Sequence, residues 1–524
     1  MGRRFRSGCG PDEVMLMPAD PREWLPAGHL AWKVLDLAGE MDLSAFGAGY
    51  RADGQGGRPY DPRMMATLLL YCYCRGRRSS REIEAATFDD VGARVICGGL
   101  HPDHSTVAGF VRRNAGAVLA LLPESVRACA AEGLVDLSLV AGDGTKLKAN
   151  AAMSANVTRE QLDAQVAELE AWIGQELRDW VQGMLGEGTA PEAAPAPRGG
   201  GDAGGRKRKW KKKPARAGQM LQRRLAAGAA LDAAGGKEKR KAAARAAALA
   251  ARLEKNEQAC ARREEKVRAR LEARARREAA GEKIGGRAPI TSAGQDRDLR
   301  ELRASRDKAR ALYAAAAAAA AAPDPGARVN ATDPSSLVMP LKKGGFDQLF
   351  NAQALAVTGS QVILAVTRHP SPIDVQAMLP LLAEARRVAR EAGVPGEITA
   401  ALFDAGYASD ANFTAPVPEA LYVAVTREAR QAGRSADGRG PATMLPSWQD
   451  MSDRLATPEG KALYRKRSGI IEPVFAQLTA RLGHALRYRG DLADAELALW
   501  AASHNVLKAA TARARRRPPA PAPA

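Results

Sequence analysis

The sequence predicts an α/β fold in which a mixed sheet flanked by helices is interrupted by a long helical insertion and preceded by an all-α region. Three observations predict it. Short apolar runs typical of buried strands occur in residues 133–150 and again in residues 328–427. Between them, residues 158–322 are rich in Ala, Arg, Lys, Glu and Leu, which favour helices. Residues 1–130 combine helix-start signals with helical apolar spacing.

Changes of composition divide the chain into five segments. The predicted segments are a helical N-terminal domain (1–132), the first strand of an α/β core (133–150), a helical and low-complexity insertion (151–327), the remainder of the core (328–510) and a disordered basic, proline-rich tail (511–524).

The N-terminal segment predicts several short helices with basic positions. One helix follows the Asp61–Pro62 signal, and another begins near Ser79 or Ser80. A third, capped by Asp103 or Ser105, carries Arg112 and Arg113. This pattern fits a helix-turn-helix-like module that contacts DNA, and it fits an ordinary helical bundle equally well.

The core segments predict strands and helices in alternation. The run LVDLSLVAGD is a strand candidate ending at Asp143, and EITAALFDAG is one ending at Asp404. The remaining expected elements are strands in FNAQALAVTG, QVILAVTRH and EALYVAVTRE, a turn at Gly359 and Ser360, a helix over 374–392, a loop over 428–457, and helices over 458–482 and 491–510.

The insertion predicts long helices around a flexible connection. Thr158 and Gln161 form a capping-box pattern, and residues 186–205 are rich in Gly, Pro and Ala. Helical composition returns over 218–280 and 297–322, which predicts a coiled-coil-like hairpin. Its basic face fits either contact with the DNA backbone or a solvated, salt-bridged surface.

The charge balance predicts a polyanionic partner. The chain of 524 residues carries a formal net charge of +19 and has a sequence pI of about 9.9. Basic residues cluster at 205–213 and 513–517, which favours nucleic acid over a generic basic surface. The six cysteines form no C-x-x-C pair, and we find neither a signal peptide nor an apolar run of membrane-spanning length. We therefore expect a soluble cytoplasmic protein without a membrane partner.

Three acidic residues in separate contexts are the strongest functional signal. Asp143 and Asp404 follow apolar strand-like runs, and Glu472 lies on a helical pattern. Neighbouring strand ends converge at one edge of a sheet, where a packed helix adds a third carboxylate. Three carboxylates suit two divalent ions beside a phosphodiester, and Mg²⁺ prefers such hard oxygen ligands. Each Asp alone would fit a turn or cap, and a carboxylate pair acting on a sugar is disfavoured by the basic charge.

Several motifs in order resemble those of the DDE transposases of bacterial insertion sequences. The run from YDPRMMATLLLYCYCRG to HSTVAGFVRRN resembles the InsH-like N-terminal domain of one branch of that family. The runs DGTKLKANA, LFDAGY and YRKRSGIIEPVFAQL resemble its catalytic signatures, with a helical insert after the first Asp.

The resemblance implies an RNase H-like catalytic core in which Asp143, Asp404 and Glu472 are the catalytic, metal-binding residues. It implies Mg²⁺ as cofactor, with Mn²⁺ tolerated. It implies binding to the double-stranded terminal inverted repeats, cleavage to 3′-hydroxyl ends, and transfer of those ends into target DNA. A homodimer in the synaptic complex and a bacterial cytoplasmic, nucleoid-associated location follow. It also implies that Tyr464 and Arg467 contact DNA near the cleaved end.

Other basic positions complete the predicted DNA-binding set. Where the family often has a Lys seven residues after the Glu, this chain has Thr479, and Arg481 is the nearby substitute. Lys146 and Lys148, just after the first Asp, fit either phosphate contacts or a solvated strand end. Two alternatives remain: a non-catalytic or decayed DNA-binding relative, and a nuclease of the same fold without strand transfer.

Overall fold

The computed structural model describes residues 20–50, 59–185, 214–234, 237–281, 292–321, 327–341, 343–425 and 446–516. The chain forms two compact units. One contains residues 1–153 and 335–524, and the other contains residues 154–334. The fold is mixed α/β, as the sequence predicts.

The first unit begins with six helices. Their starts follow local sequence signals: Asp61 accepts from the Arg63 amide ahead of a proline, and Ser79 forms a reciprocal capping box with Glu82. Asp103 accepts from the two amides that open the helix carrying the predicted arginines. These helices are α1 (Leu30–Glu40), α2 (Pro62–Cys74), α3 (Ser80–Asp89), α4 (Val91–Ile96), α5 (His104–Arg113) and α6 (Ala115–Ala131).

A mixed sheet follows these helices. Its strands are β1 (Leu139–Lys148), β4 (Leu337–Pro340), β5 (Phe346–Val357), β6 (Ile363–His369), β7 (Ala400–Phe403) and β8 (Ala420–Val423). In the part of the chain that the structure describes, the order is β4-β5-β1-β7-β8, and β6 pairs with a second stretch of β5. Strands β1, β7 and β8 run parallel, whereas β5 is antiparallel to β1, β4 and β6.

Strand β1 differs from its prediction, because Asp143 lies in the middle of the strand and not at its end. Pairing with β5 continues from Val140 opposite Val357 as far as Lys148 opposite Leu349. Burial changes at the predicted point: the four residues before Asp143 are buried, and those after it are mostly partly or fully exposed. The apolar run therefore marks where the strand leaves the core. Strand β4 had no counterpart in the sequence prediction.

The remaining elements of this unit are helical. The region predicted as a loop over 428–457 contains a helix, and the single helix predicted over 458–482 is two helices separated at Arg465 and Lys466. Residues 511–516, predicted as part of a disordered tail, continue the last helix. These helices are α11 (Met378–Glu391), α12 (Asp410–Phe413), α13 (Pro446–Ala456), α14 (Pro458–Tyr464), α15 (Arg467–Leu482) and α16 (Asp491–Arg516).

Helix α16 joins the N-terminal helices to the sheet. It packs against α6, α2 and β6 within one continuous apolar core. Its buried Asn505 donates to the Ser125 hydroxyl of α6 and to the Ile363 carbonyl of β6, and it accepts from the Ile363 amide. These hydrogen bonds offset the cost of removing the Asn505 amide from water. The helices predicted as a separate N-terminal domain therefore share the core of the sheet.

The second unit is a helical insertion closed by a short antiparallel ribbon. Strand β2 (Asn156–Thr158) pairs with β3 (Arg328–Asn330). Glu264 pairs with Arg303 and Glu257 with Arg310, so helices α9 (Lys237–Ala279) and α10 (Arg297–Ala321) lie antiparallel and exchange ion pairs, as a hairpin requires. The helical region predicted over 218–280 is two helices. The helices of this unit are α7 (Arg159–Leu185), α8 (Pro214–Ala234), α9 (Lys237–Ala279) and α10 (Arg297–Ala321).

Several sequence predictions fall wholly or partly outside the described residues. They concern the basic cluster 205–213, the flexible connection 186–205, and residues 517–524 of the tail. Within the described residues, the cysteines at 72, 74, 97, 129 and 260 are buried free thiols. None of the helices in these ranges is both long and apolar enough to cross a membrane.

Candidate active site at the edge of the sheet

Two of the three predicted carboxylates lie side by side where the parallel pairing of β1 and β7 ends. Strands β1 and β7 are parallel, and Ala141 pairs with Leu402. Asp143 and Asp404 each follow that pair by two residues, so they occupy equivalent positions on the same face. Asp404 caps the short helical turn after β7, and its Oδ1 atom accepts from the Gly406 amide at 2.9 Å. The parallel register therefore brings together residues 261 positions apart in the chain.

Asp143 experiences both burial and a neighbouring like charge. Its side chain is 22% exposed, and its Oδ1 atom accepts from the Gly144 amide at 2.7 Å. Burial, with a further contribution from the charge of Asp404, raises the pKa of Asp143 above its ordinary value, and the nearby Arg467 opposes this rise only in part. A further positive charge beside Asp143 would favour the ionised form of its carboxylate.

Glu472 contacts Arg467, which in turn contacts Asp143. The Nη1 atom of Arg467 lies 3.3 Å from Oδ2 of Asp143, and its Nη2 atom lies 3.7 Å from Oε1 of Glu472. The Glu472 side chain is 61% exposed, whereas that of Arg467 is 15% exposed. The guanidinium therefore lies between the third carboxylate and the first, and it partly neutralises both.

Helix α15, which carries Glu472, is fixed to the sheet by an unusual contact. Pro473 has no amide hydrogen, so the carbonyl of Gly469 lacks its usual partner four residues ahead in the helix. The side chain of Gln361, in the turn between β5 and β6, donates to that carbonyl at 3.0 Å. The same helix packs against β1 and β5. The position of Glu472 is therefore tied to the sheet within one turn of the helix.

A fourth carboxylate, Asp374, lies beside the pair and was not identified as a site residue from the sequence. A Cβ atom added at Gly406 would lie 3.0 Å from Oδ1 of Asp404 and 3.6 Å from Oδ2 of Asp374. The Oδ1 atom of Asp374 accepts from Asn351 and Gln353, both at 2.8 Å. In the sequence, only the alternating amide residues on β5 point to this location, because Asp374 is predicted as the start of a helix.

Buried hydrogen bonds also fix the side chains around these carboxylates. The Tyr407 hydroxyl donates to Oε1 of Gln353. Burial raises the pKa of Tyr407 far above its ordinary value, and the charges of Asp374, Asp143 and Asp404 add to that rise. The phenol therefore stays protonated and serves as a donor beside the carboxylates.

The donor set fits a divalent cation in part. Asp143 and Asp404 supply hard carboxylate oxygens from adjacent positions, as Mg²⁺ requires. Within the ranges that the structure describes, however, no three acidic, His or Cys side chains are grouped closely enough to hold a metal ion. The third predicted ligand, Glu472, is paired with Arg467 instead. Two of the three predicted ligands lie together, and the third does not join them in this arrangement.

The predicted DNA-contacting residues divide into two groups. Tyr464 and Arg467 lie at the carboxylates: the Tyr464 hydroxyl donates to the Phe403 carbonyl at 3.2 Å, one residue before Asp404. Lys146 and Lys148 lie on the opposite face of β1 from Asp143, because strand side chains alternate. Lys148 forms an ion pair with Asp347 at 2.6 Å, and Lys146 donates to the Pro340 carbonyl.

The other predicted contacts lie elsewhere. Arg112 and Arg113 are exposed in the last turn of α5. Arg481 follows Glu472 by nine residues, which places it about 180° around the helix. Thr479 follows by seven residues and lies within about 20° of Glu472. Arg481 therefore faces away from the carboxylates, and its role as a substitute for the missing Lys stays a prediction.

Comparison with known proteins bears on the N-terminal helices. Residues 19–113 match the family described as Transposase domain (DUF772). This match supports a transposase family. It also indicates a transposase function, and hence a DNA-processing enzyme. No curated protein matches the chain, and no solved structure matches it either.

Proposed function

We propose that the protein is a DDE transposase that cuts the ends of an insertion sequence and transfers the resulting 3′-hydroxyl ends into target DNA. The observation that carries the proposal is the parallel register that aligns Asp143 with Asp404 at one sheet edge. The helix bearing Glu472 packs across the same strand. The match of residues 19–113 to a transposase domain supports the same conclusion independently.

The metal chemistry is part of the proposal. Asp143 and Asp404 would hold Mg²⁺, joined by Glu472, and the metal would activate the attacking hydroxyl and stabilise the leaving oxygen of the phosphodiester. The chain's own residues have separate tasks. Arg467 neutralises the carboxylates before DNA binds and then contacts a phosphate. Asp374 and Tyr407 hold the β5 amides in place, so that the sheet edge stays rigid.

DNA binding is proposed to precede this chemistry. The net charge of +19 gives the long-range attraction, and exposed basic residues such as Arg112 and Arg113 provide phosphate contacts. A synaptic complex of two protomers on two DNA ends is the proposed active assembly.

A non-catalytic, DNA-binding relative is the second candidate, because Arg467 occupies the space between Asp143 and Glu472. In that case binding would persist without any metal-dependent cleavage. A nuclease that cuts without joining would be distinguished by the absence of strand-transfer products.

The deciding experiment compares D143N, D404N and E472Q with D450N, which alters an exposed Asp on α13. DNA carrying the ends of the element is incubated with each protein and Mg²⁺, and nicked and joined products are resolved on denaturing gels. We expect cleavage to fall by at least about 100-fold in the three site variants, as is typical when a group that stabilises the transition state is lost. DNA affinity should remain, and D450N should behave like the wild type. Cleavage by all three site variants would refute the proposal.

A further inference from the structure

A cavity of about 430 Å³ lies on the side of helix α15 that faces away from Glu472. Its walls are α15, helix α16 and the turn between β5 and β6. Arg481, Lys508 and Arg515 line it, and no Asp or Glu is among the lining residues that the structure describes. Three cations therefore line one cavity of the first unit.

No carboxylate in the described part of the chain compensates the charge of this cavity. Nε and Nη2 of Arg481 are shielded from solvent and meet no hydrogen-bond acceptor in the described part of the chain. None of Arg481, Lys508 and Arg515 forms an ion pair with a described carboxylate, although the neighbouring Arg513 and Arg516 both pair with Glu132. Burial lowers the pKa of Arg481 and that of Lys508, as expected for cations held out of water.

An anion would relieve this arrangement. Removing a cation from water costs several kcal/mol unless an opposite charge meets it. A guanidinium pairs with two oxygens of one phosphate, and an ammonium adds a point charge that tolerates many geometries. The lining therefore has the chemistry of a phosphate site, with one semi-buried Arg and two more accessible cations.

The wall of the cavity is organised by Gln361. Its Oε1 atom accepts from Nζ of Lys508 at 3.1 Å and from Nε2 of Gln477 at 3.2 Å. Its backbone carbonyl accepts from Nε2 of His504 at 3.0 Å. Gln361 has a φ of +63°, a left-handed conformation that is uncommon for Gln. Two donors of the cavity are thus oriented by one side chain.

We propose that this cavity binds a phosphate group, supplied either by a small phosphorylated molecule or by the backbone of a bound nucleic acid. The site is separate from the carboxylates, because Arg481 and Glu472 lie on opposite faces of α15. It does not depend on the proposed transposase activity, since it rests on charge and geometry alone.

The first experiment measures thermal unfolding of the full chain with pyrophosphate or inorganic phosphate, against NaCl at equal ionic strength. We expect pyrophosphate to raise the melting temperature of the wild type more than NaCl does. R515Q removes an exposed cation and should weaken the effect several-fold, whereas R390Q, which alters an exposed Arg on α11, should leave it unchanged. Equal responses to pyrophosphate and NaCl, or equal responses of R515Q and R390Q, would overturn the proposal.

A second variant tests the site without removing any of its cations. A512E places a carboxylate in the wall of the cavity, where it meets the uncompensated cations. We expect A512E to melt at a higher temperature than the wild type without ligand and to lose the response to pyrophosphate. A destabilised A512E that still responds to pyrophosphate like the wild type would contradict the site.

A DNA-binding measurement identifies the source of the phosphate. If the nucleic acid backbone supplies it, R515Q should reduce the slope of log affinity against log salt by about 0.9, and pyrophosphate should compete with DNA. If a small molecule supplies it, R515Q and R390Q should bind DNA alike while differing in the response to pyrophosphate. Neither readout involves cleavage, so failure of the proposed transposase activity would leave this result unaffected.

Discussion

The Nη1 atom of Arg467 lies 3.3 Å from Oδ2 of Asp143, and the same guanidinium extends to Glu472. A single cation from the protein thus contacts the first and the third of the carboxylates implied as metal ligands. Such a side chain lowers the repulsion between the carboxylates while no other cation is bound. It also competes with a metal ion for the same oxygens.

Arg467→Gln should therefore strengthen binding of Mn²⁺ to the DNA-free protein. We expect the affinity for Mn²⁺ to rise about tenfold, which corresponds to about 1.4 kcal/mol. This is well below the interaction energy of ~4 kcal/mol between two unit charges 4 Å apart near a protein surface. Isothermal titration calorimetry of the full chain measures it. R465Q, which alters an exposed Arg two residues earlier, is the matched control. Weaker or equal binding by R467Q would show that Arg467 does not compete with the metal.

His504 should make stability depend on pH. Burial lowers the pKa of His504 to about 3, so the folded protein keeps this ring neutral. In the unfolded chain this ring takes up a proton near pH 6.5. The contribution of the neutral His504 ring to the free energy of unfolding is therefore complete above pH 6.5 and is lost as the pH falls towards 3. We expect the free energy of unfolding to fall by at most about 1.4 kcal/mol per pH unit from this group.

Urea denaturation at a series of pH values measures this slope. H504Q keeps a donor for the Gln361 carbonyl but cannot be protonated. Its slope between pH 6 and pH 4 should be shallower than that of the wild type, even if its stability at pH 7 is lower. Parallel slopes for the two proteins would assign the pH dependence to other groups.

Gly142 should be required for the alignment of Asp143. A Cβ atom at this position would overlap the ring of Phe403 on the neighbouring strand. We expect G142A to lose about 1–3 kcal/mol of stability, as overpacked cores do. G116A is the matched control, because a Cβ added there has open space within a helix and should be neutral or stabilising. Equal unfolding midpoints for the two variants in urea would contradict the close approach.

Thr479→Lys should improve DNA binding, because position 479 lies on the same face of α15 as Glu472. One added phosphate contact predicts a steeper salt dependence, by about 0.9 in the slope of log affinity against log salt. Fluorescence anisotropy with a labelled duplex measures it, and T479Q controls for side-chain length. If T479K and T479Q bind DNA with the same salt slope, this face of the helix does not meet the DNA backbone.

The sequence predicted most elements correctly where local signals were strong. The β5–β6 hairpin follows from two apolar runs separated by a turn at Gly359, and the start of α3 follows from the Ser79 capping box. The continuation of β1 beyond Asp143 was missed, because GTKLK is polar and its strand conformation depends on pairing with β5. Long-range pairing is not visible in local composition.

The site was predicted less completely than the fold. Asp143 and Asp404 stand out because each follows an apolar strand, and the parallel register then aligns them. Asp374 had no such signal, since its place beside Asp404 depends on how the chain turns after β6. Arg481 is close to Glu472 in the sequence, but nine residues amount to about two and a half turns of helix, which places the two side chains on opposite faces of α15.

The side-chain amide of Gln361 contacts both the first turn of helix α15 and two side chains of the cavity wall. Its nitrogen compensates for the backbone donor that Pro473 lacks, and its oxygen holds Lys508 and Gln477. A shift of this one side chain would be felt at both ends. The start of helix α15 and the cavity are therefore linked by this side chain as well as by α15 itself, so a displacement of Gln361 would alter both.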